Sequence, residues 1–325
     1  MGGVAAIGVG SPETGKIFVR VAKCAVAVAL VWLIAREIDW SESWREFRSA
    51  GFGLVAVVFA MLFVNVFISA LRWGLLLRIH SVAYSLWTLS AHYFVAIFFN
   101  NFLPSNIGGD GYRIYKTLDN ERGKTSAVIA VLAERLSGIG VLILLGFGAA
   151  QILEPRTPDS VSFIMAAVAV GAVAAPIAAW TLRSRLPGKL KKLTIDVGEH
   201  IDDYGRRPGL TLAAVALSAA FHLMLALAYY LAIRHSGAQH ASILELLVAL
   251  AIGNIVAVLP ISFNGIGVFE GAFMYLLAQY GVPYEASVIP MILNRVLLVP
   301  LSAIGAAIYF GNRLQGWAPK RVEPV

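Results

Sequence analysis

FFNNFLPSNIGGDGYRIYK, residues 98–116, breaks an apolar run with two asparagines, a proline, a Gly-Gly pair, an aspartate and an arginine. Proline lacks an N–H and disrupts the turn before it, and paired glycines loosen a helix further. Backbone freed in this way cannot face lipid. It is tolerated at membrane depth only where protein packs on it or where it lines a wet cavity. The stretch therefore reads as the tip of a re-entrant helical hairpin, with Asn100, Asn101, Ser105 and Asn106 available to satisfy the opened backbone. An interfacial loop punctuated by Pro and Gly is the alternative for residues 104–111, because the charged segment 112–124 follows.

The surrounding chain makes the membrane reading necessary. Of 325 residues, 58% are hydrophobic and only 14% charged, where a soluble domain runs nearer a quarter. Runs with little or no charge recur at 49–71, 84–109, 136–153, 160–182, 208–233, 246–269 and 296–312, and several match a hydrocarbon core about 30 Å thick. Candidate helices are 16–35, 52–79, 84–103, 125–152, 161–182, 208–234, 242–259, 265–281 and 286–311. Segment 36–49 alternates acids, bases and Trp as an interfacial helix does. Segment 183–207 carries seven Lys/Arg and reads as a cytoplasmic loop. The single cysteine, Cys24, excludes an intrachain disulfide or Cys-based metal site. The net charge of +7 is the Lys/Arg excess of cytoplasmic loops, not a nucleic-acid footprint.

A second stretch, LPISFNGIGVFE at 259–270, repeats the order of LPSNIGGD at 103–110: Leu-Pro, Ser, Asn, two glycines and an acid. Twenty-five residues past each acid stands an arginine that follows a polar residue and opens an apolar run. Asp110 leads to Glu134-Arg135, and Glu270 to Asn294-Arg295. The ordered set indicates an internal duplication. The expected breaks are at Pro104, Gly108 and Gly109 and at Pro260, Gly265 and Gly267, with Ser262 and Asn264 serving the second backbone.

The fold expected is an all-α polytopic membrane protein, one integral domain over 1–325. Its repeats are about 16–152 and about 161–311, each with three spans and one hairpin. Three crossings per repeat invert one repeat relative to the other, a common transporter plan. A nine-span bundle is the rival. With both termini cytoplasmic, the inverted arrangement puts nineteen Lys/Arg inside and five outside, with Arg135 and Arg295 at membrane depth. In this count Arg72, Arg113 and Lys116 are cytoplasmic flank charges, and Trp73, Trp87 and Trp317 fit interfacial belts.

Intramembrane charges usually face an interior site. For Glu134, Arg135, Glu270 and Arg295 two readings stand side by side: salt bridges that hold helices together, or contacts to a ligand. A guanidinium holds phosphate bidentately and stays charged when buried, so Arg135 and Arg295 would suit an anion clamp. His92 and His222 read as hydrogen-bonded helix contacts. No metal, nucleotide or nucleophile motif is visible, which argues against an enzyme and for no cofactor.

NNFLPSNIGGDGYR, ERLSG, LPISFNGIGVFEGA and NRVLLVPLSAIG, taken together, resemble the transmembrane region of lysylphosphatidylglycerol synthases, which also occurs alone in flippase-like membrane proteins. The resemblance runs from about 16 to 311, with no soluble synthase domain. It implies a bacterial or archaeal cytoplasmic membrane protein that moves or holds a lipid. It also implies roles for Asn106, Gly109, Asp110, Arg113, Glu134, Arg135, Asn264, Gly267, Glu270 and Arg295, with Asp110 standing where the family more often has glutamate. The function expected is translocation of an anionic or phosphate-linked lipid, a phospholipid or a polyprenyl phosphate. The headgroup would bind at Arg135, Arg295, Glu134, Glu270, Asp110, Arg113, Asn106, Asn264, Asn294 and Ser262. The alternatives are an enzyme acting on polyprenyl-phosphate-linked sugars or aminoacylated phospholipid, and a membrane subunit serving a separately encoded transferase.

Overall fold

The computed structural model describes residues 51–102, 107–118, 120–154, 156–181, 202–258 and 267–315. The expected first helix at 16–35, the interfacial segment 36–49 and most of the basic loop lie outside them, as do Pro104, Asn106, Pro260, Ser262, Asn264 and Gly265. The described residues are almost entirely helical. They form α1 (Gly51–Ile79), α2 (Leu86–Phe102), α3 (Ile107–Thr117), α4 (Asn120–Ile152), α5 (Asp159–Thr181), α6 (Pro208–His235), α7 (Ile243–Val258), α8 (Val268–Gln279) and α9 (Tyr284–Gln315).

Length sorts these helices. α1, α6 and the apolar parts of α4 and α9 are each 28 or 29 residues, long enough to cross a bilayer with tilt. α5 adds 23 residues. α2 and α7 have only 17 and 16, about 25 Å at 1.5 Å per residue, which is short of the hydrocarbon core. α3 and α8 have 11 and 12, about 17 Å. The two helix pairs on either side of the expected breaks are thus the short ones, and each pair packs on itself, α2 on α3 and α7 on α8.

The packing exchanges partners between the two halves of the chain. α1 lies along α6. The short helix α2 of the first half is held by α9 of the second, and α7 of the second half is held by α4 of the first. Both crossings are made close by a glycine. A Cβ on Gly305 of α9 would stand 2.1 Å from the Phe94 carbonyl oxygen on α2, and one on Gly146 of α4 would stand 2.5 Å from Ala251 Cβ and 3.2 Å from the Leu247 oxygen on α7. Bare backbone lets helices approach where dispersion, not exclusion from water, holds them together.

α7 is buried from Glu245 to Gly253, so its apolar character on every side serves protein rather than lipid. Leu246, Leu250, Phe273, Met274, Ile289 and Leu293 form the centre of the largest core cluster. Outward-facing Leu136, Phe163, Val170 and Val299 are exposed, as lipid-facing side chains of a bundle are. The start of α7 is fixed by a reciprocal pair. The Glu245 N–H donates to Ser242 Oγ at 3.3 Å, and the Ser242 N–H donates to Glu245 Oε2 at 3.0 Å. Arg156 approaches the other oxygen of this fully buried carboxylate at 3.0 Å. Ser242→Ala is expected to cost about 1 kcal/mol of stability in a reversible unfolding measurement in mild detergent.

The breaks differ from expectation in one respect. Gly108 and Gly109 lie in the first turn of α3 and not in the interruption. Gly109 is needed for proximity: a Cβ there would meet the Ala96 carbonyl oxygen at 2.3 Å, and its N–H donates to Asn100 Oδ1 at 2.8 Å. Gly267 stands at the start of the second short helix of its pair. It precedes α8 at φ +81°, in the left-handed region, and its N–H donates to Glu270 Oε2 at 2.8 Å.

Candidate functional site

Asp110 on α3 and Arg135 on α4 form an ion pair, with Nη2 2.8 Å from Oδ2 and Nε donating to the same oxygen at 2.8 Å. Glu270 on α8 and Arg295 on α9 form another at 2.7 Å. Each arginine therefore takes the acid 25 residues before it. In both pairs the arginine is about half exposed, at 45% and 51%, while the acid is mostly covered.

Beyond that shared pair the two halves diverge. Glu134 does not orient Arg135. It points inward, 2% exposed, and gathers three donors: Arg72 Nη2 at 2.8 Å and the Tyr93 hydroxyl at 2.9 Å on Oε1, and Arg113 Nη1 at 2.6 Å on Oε2. Adjacent residues of a helix point in different directions, so Glu134 and Arg135 serve separate partners. Arg113 also donates to Asp110 Oδ1 at 2.5 Å, and Arg72 to Ser218 Oγ on α6 at 3.1 Å. A continuous chain results: Ser218, Arg72, Glu134, Arg113, Asp110, Arg135. At the equivalent places after the second break stand Phe273 and Asn294, for Arg113 and Glu134. Phe273 is buried against Tyr229, ring centroids 5.6 Å apart. The second half thus replaces a charged interior with an aromatic one.

Two sequence assignments change here. Arg72 and Arg113, counted as cytoplasmic flank charges, are buried, at 7% and 3% exposed. Trp73, assigned to an interfacial belt, is fully buried and presents its ring to Arg113 at 5.2 Å, with Tyr93 on the same guanidinium at 4.6 Å. Nothing in the linear sequence separates Arg72 from Arg78 six residues on, since both end an apolar helix. The partner that draws Arg72 inward, Glu134, is 62 positions away.

The network borders a cavity of about 280 Å³. One wall is Arg72, Tyr93, Asp110, Arg113, Glu134 and Arg135, and Asn100, Phe221, His222 and Asn254 contribute the rest of its polar and aromatic lining. Arg295, Glu270, Asn294 and Gly267 are not among the described residues that line it. The structure brings Asp110, Arg113, Glu134 and Arg135 together and leaves the Arg295–Glu270 pair as a separate station. Arg72, Tyr93, Phe221, His222 and Asn254 are among the lining residues that sequence reasoning did not assign to a site. His222 is the expected helix contact as well, because its Nε2 donates to the Gly138 carbonyl at 2.9 Å.

Chemically, Glu134 and Asp110 have both oxygens engaged by guanidinium groups, so neither stands as a free base. What the cavity offers is a fixed array of N–H donors beside aromatic rings. Comparison with known proteins places this geometry in context. No curated protein matches the chain. The family model described as lysylphosphatidylglycerol synthase TM region matches residues 20–305, which include the acids, arginines and tyrosine of the network. This multi-pass, all-helical chain, with its paired short helices and acid–arginine couples, belongs to the lysylphosphatidylglycerol synthase transmembrane-region family, whose context is membrane lipid.

Proposed function

We propose that the protein is a lipid translocase of the flippase-like type, in which an anionic or phosphate-linked headgroup enters the cavity at Arg135 while its acyl chains stay in the bilayer. The observation that carries this reading is the half-exposed Arg135, paired with Asp110 on the lining of a cavity whose other charged side chains, Arg72, Arg113 and Glu134, are buried. A phosphate oxygen exchanges for Asp110 on that guanidinium without unburying Arg72, Arg113 or Glu134. Arg295, equally exposed and equally paired with Glu270, is the counterpart station in the other half.

The architecture we infer has two repeats, about 16–152 and 161–311, inverted in the membrane, with α2–α3 and α7–α8 as re-entrant hairpins. Its termini lie on the cytoplasmic side of a prokaryotic inner membrane. Support comes from the equal spacing of the two ion pairs and from helix packing that maps onto itself when the halves are exchanged.

The test is lipid movement in proteoliposomes carrying a fluorescent anionic phospholipid, read by dithionite quenching. Arg135→Ala and Arg295→Ala are each expected to slow movement at least about tenfold, the loss of one charge-assisted bidentate contact. Unchanged rates in both variants would remove the arginines from the path. Turnover of a polyprenyl-phosphate sugar would move the protein to an enzymatic role, and transport only with a co-purified transferase to a subunit role.

A further inference from the structure

The charges around the cavity do not balance. Among the described residues of its lining, Arg72, Arg113 and Arg135 stand against Asp110 and Glu134, an excess of one positive unit. The Glu270–Arg295 pair of the other half is one acid on one arginine and carries no excess. Uncompensated charge is costly away from water, so the occupant that leaves the cavity least charged brings a single negative unit. A proton or an inorganic cation taken up beside that anion would restore the excess.

The lining offers a travelling proton no seat. Its titratable groups are Arg72 from α1, Tyr93 from α2, Asp110 and Arg113 from α3, Glu134 and Arg135 from α4, and His222 from α6; α7 contributes Asn254, which does not titrate. Both oxygens of each carboxylate accept from a guanidinium. Asp110 takes Arg113 at 2.5 Å and Arg135 at 2.8 Å, and Glu134 takes Arg72 at 2.8 Å and Arg113 at 2.6 Å. A hydrogen on any of these oxygens would point at an N–H that itself only donates. A phosphate that takes Arg135 vacates one oxygen of Asp110, while Arg113 stays on the other. A proton on the vacated oxygen would return the loaded cavity to one positive unit. Tyr93 already spends its hydroxyl hydrogen on Glu134, at 2.9 Å. His222 spends its Nε2 hydrogen on the Gly138 carbonyl, and its Nδ1 is buried.

Resting on the anion-site reading above, we infer that translocation is electrogenic: a singly charged headgroup crosses with no proton or other cation beside it, so the membrane potential is the force that drives it. The five charges of the lining keep their values through the cycle, and the only charge that changes sides is the ligand's own. An interior-negative potential pushes such a headgroup toward the outer leaflet.

The experiment uses the full chain in phosphatidylcholine proteoliposomes with a trace of short-chain NBD-phosphatidylglycerol, a monoanion. A potassium gradient with valinomycin sets the potential, and albumin extraction reads the outer-leaflet fraction. At about 100 mV the probe should gather in the leaflet facing the positive side, by up to roughly fiftyfold at equilibrium, and should follow the potential when its sign is reversed. A pH gradient at zero potential should leave it evenly divided. Arg113→Met supplies the converse. It removes the excess unit and leaves one oxygen each of Asp110 and Glu134 without a guanidinium. In that variant a proton should accompany the anion, and a pH gradient alone should redistribute the probe. Arg72→Met does the same through Glu134 if Arg113→Met does not fold. Wild-type redistribution by a pH gradient, or an even division under a potential, overturns the inference while the translocase reading stands. So does a variant that moves the probe and ignores the pH gradient. No movement by the wild type, or full movement by Arg135→Ala, overturns the reading on which the inference rests.

Discussion

Glu134→Ala is expected to destabilise the protein by about 3–5 kcal/mol, because it leaves two buried guanidinium groups without their counter-charge. Arg72 and Arg113 are both on this one carboxylate, at 2.8 and 2.6 Å, and both are buried. Of the two, Arg113 keeps Asp110, while Arg72 keeps, among the described residues, the neutral Ser218 hydroxyl and the Phe221 ring. Steric-trap unfolding in bicelles measures the loss. A companion variant separates the cause: with Arg72→Met, Arg113→Met and Glu134→Leu combined, the charges leave together, and stability should return to within about 1–2 kcal/mol of wild type. A triple variant as unstable as Glu134→Ala would mean that the network is required for shape and not for charge balance.

Gly305→Ala is the second large effect, expected at about 1–3 kcal/mol, the cost of overpacking a close contact. The added methyl would lie 2.1 Å from the Phe94 oxygen and 2.6 Å from its carbonyl carbon. Those are backbone atoms, so no side-chain rotation relieves the clash, and α9 has to shift off α2. Gly148→Ala is the control. It is also inside a long helix, α4, but nothing lies within 4 Å of its added carbon. There the change should be neutral, or stabilising by roughly 0.5–1 kcal/mol, through the lower chain entropy lost on folding. Equal effects at both sites, in the same unfolding measurement, would mean that the α2–α9 approach is not tight.

Much of this was legible in the chain. Hydropathy located α1, α4, α6 and α9 to within a few residues because lipid enforces long uncharged runs. The Leu-Pro, Ser and Asn stretches at 103–106 and 259–264 fall between the two helices of each short pair. The 25-residue spacing of Asp110 with Arg135 and of Glu270 with Arg295 turned out to be a direct ion pair in each half. What was not legible depended on partners far away in sequence. Arg72 looks like a flank charge until Glu134 is brought to it, and Trp73 looks interfacial until Arg113 lies against its ring. The divergence of the halves, Arg113 and Glu134 against Phe273 and Asn294, was present in the letters. Its meaning emerged only once the charged version proved to be a closed interior chain and the other an aromatic contact.

The exchange of partners, α2 with α9 and α7 with α4, also dictates an order of events during synthesis. When the ribosome has produced α1 to α4, α2 has no lasting neighbour on the side that α9 will occupy. That side stays uncovered until α9 emerges. Quality control therefore has a long window in which to act. A chain truncated within α9 would leave α2 of the first half uncovered as well as α8 of the second, which makes α9 the latch for both.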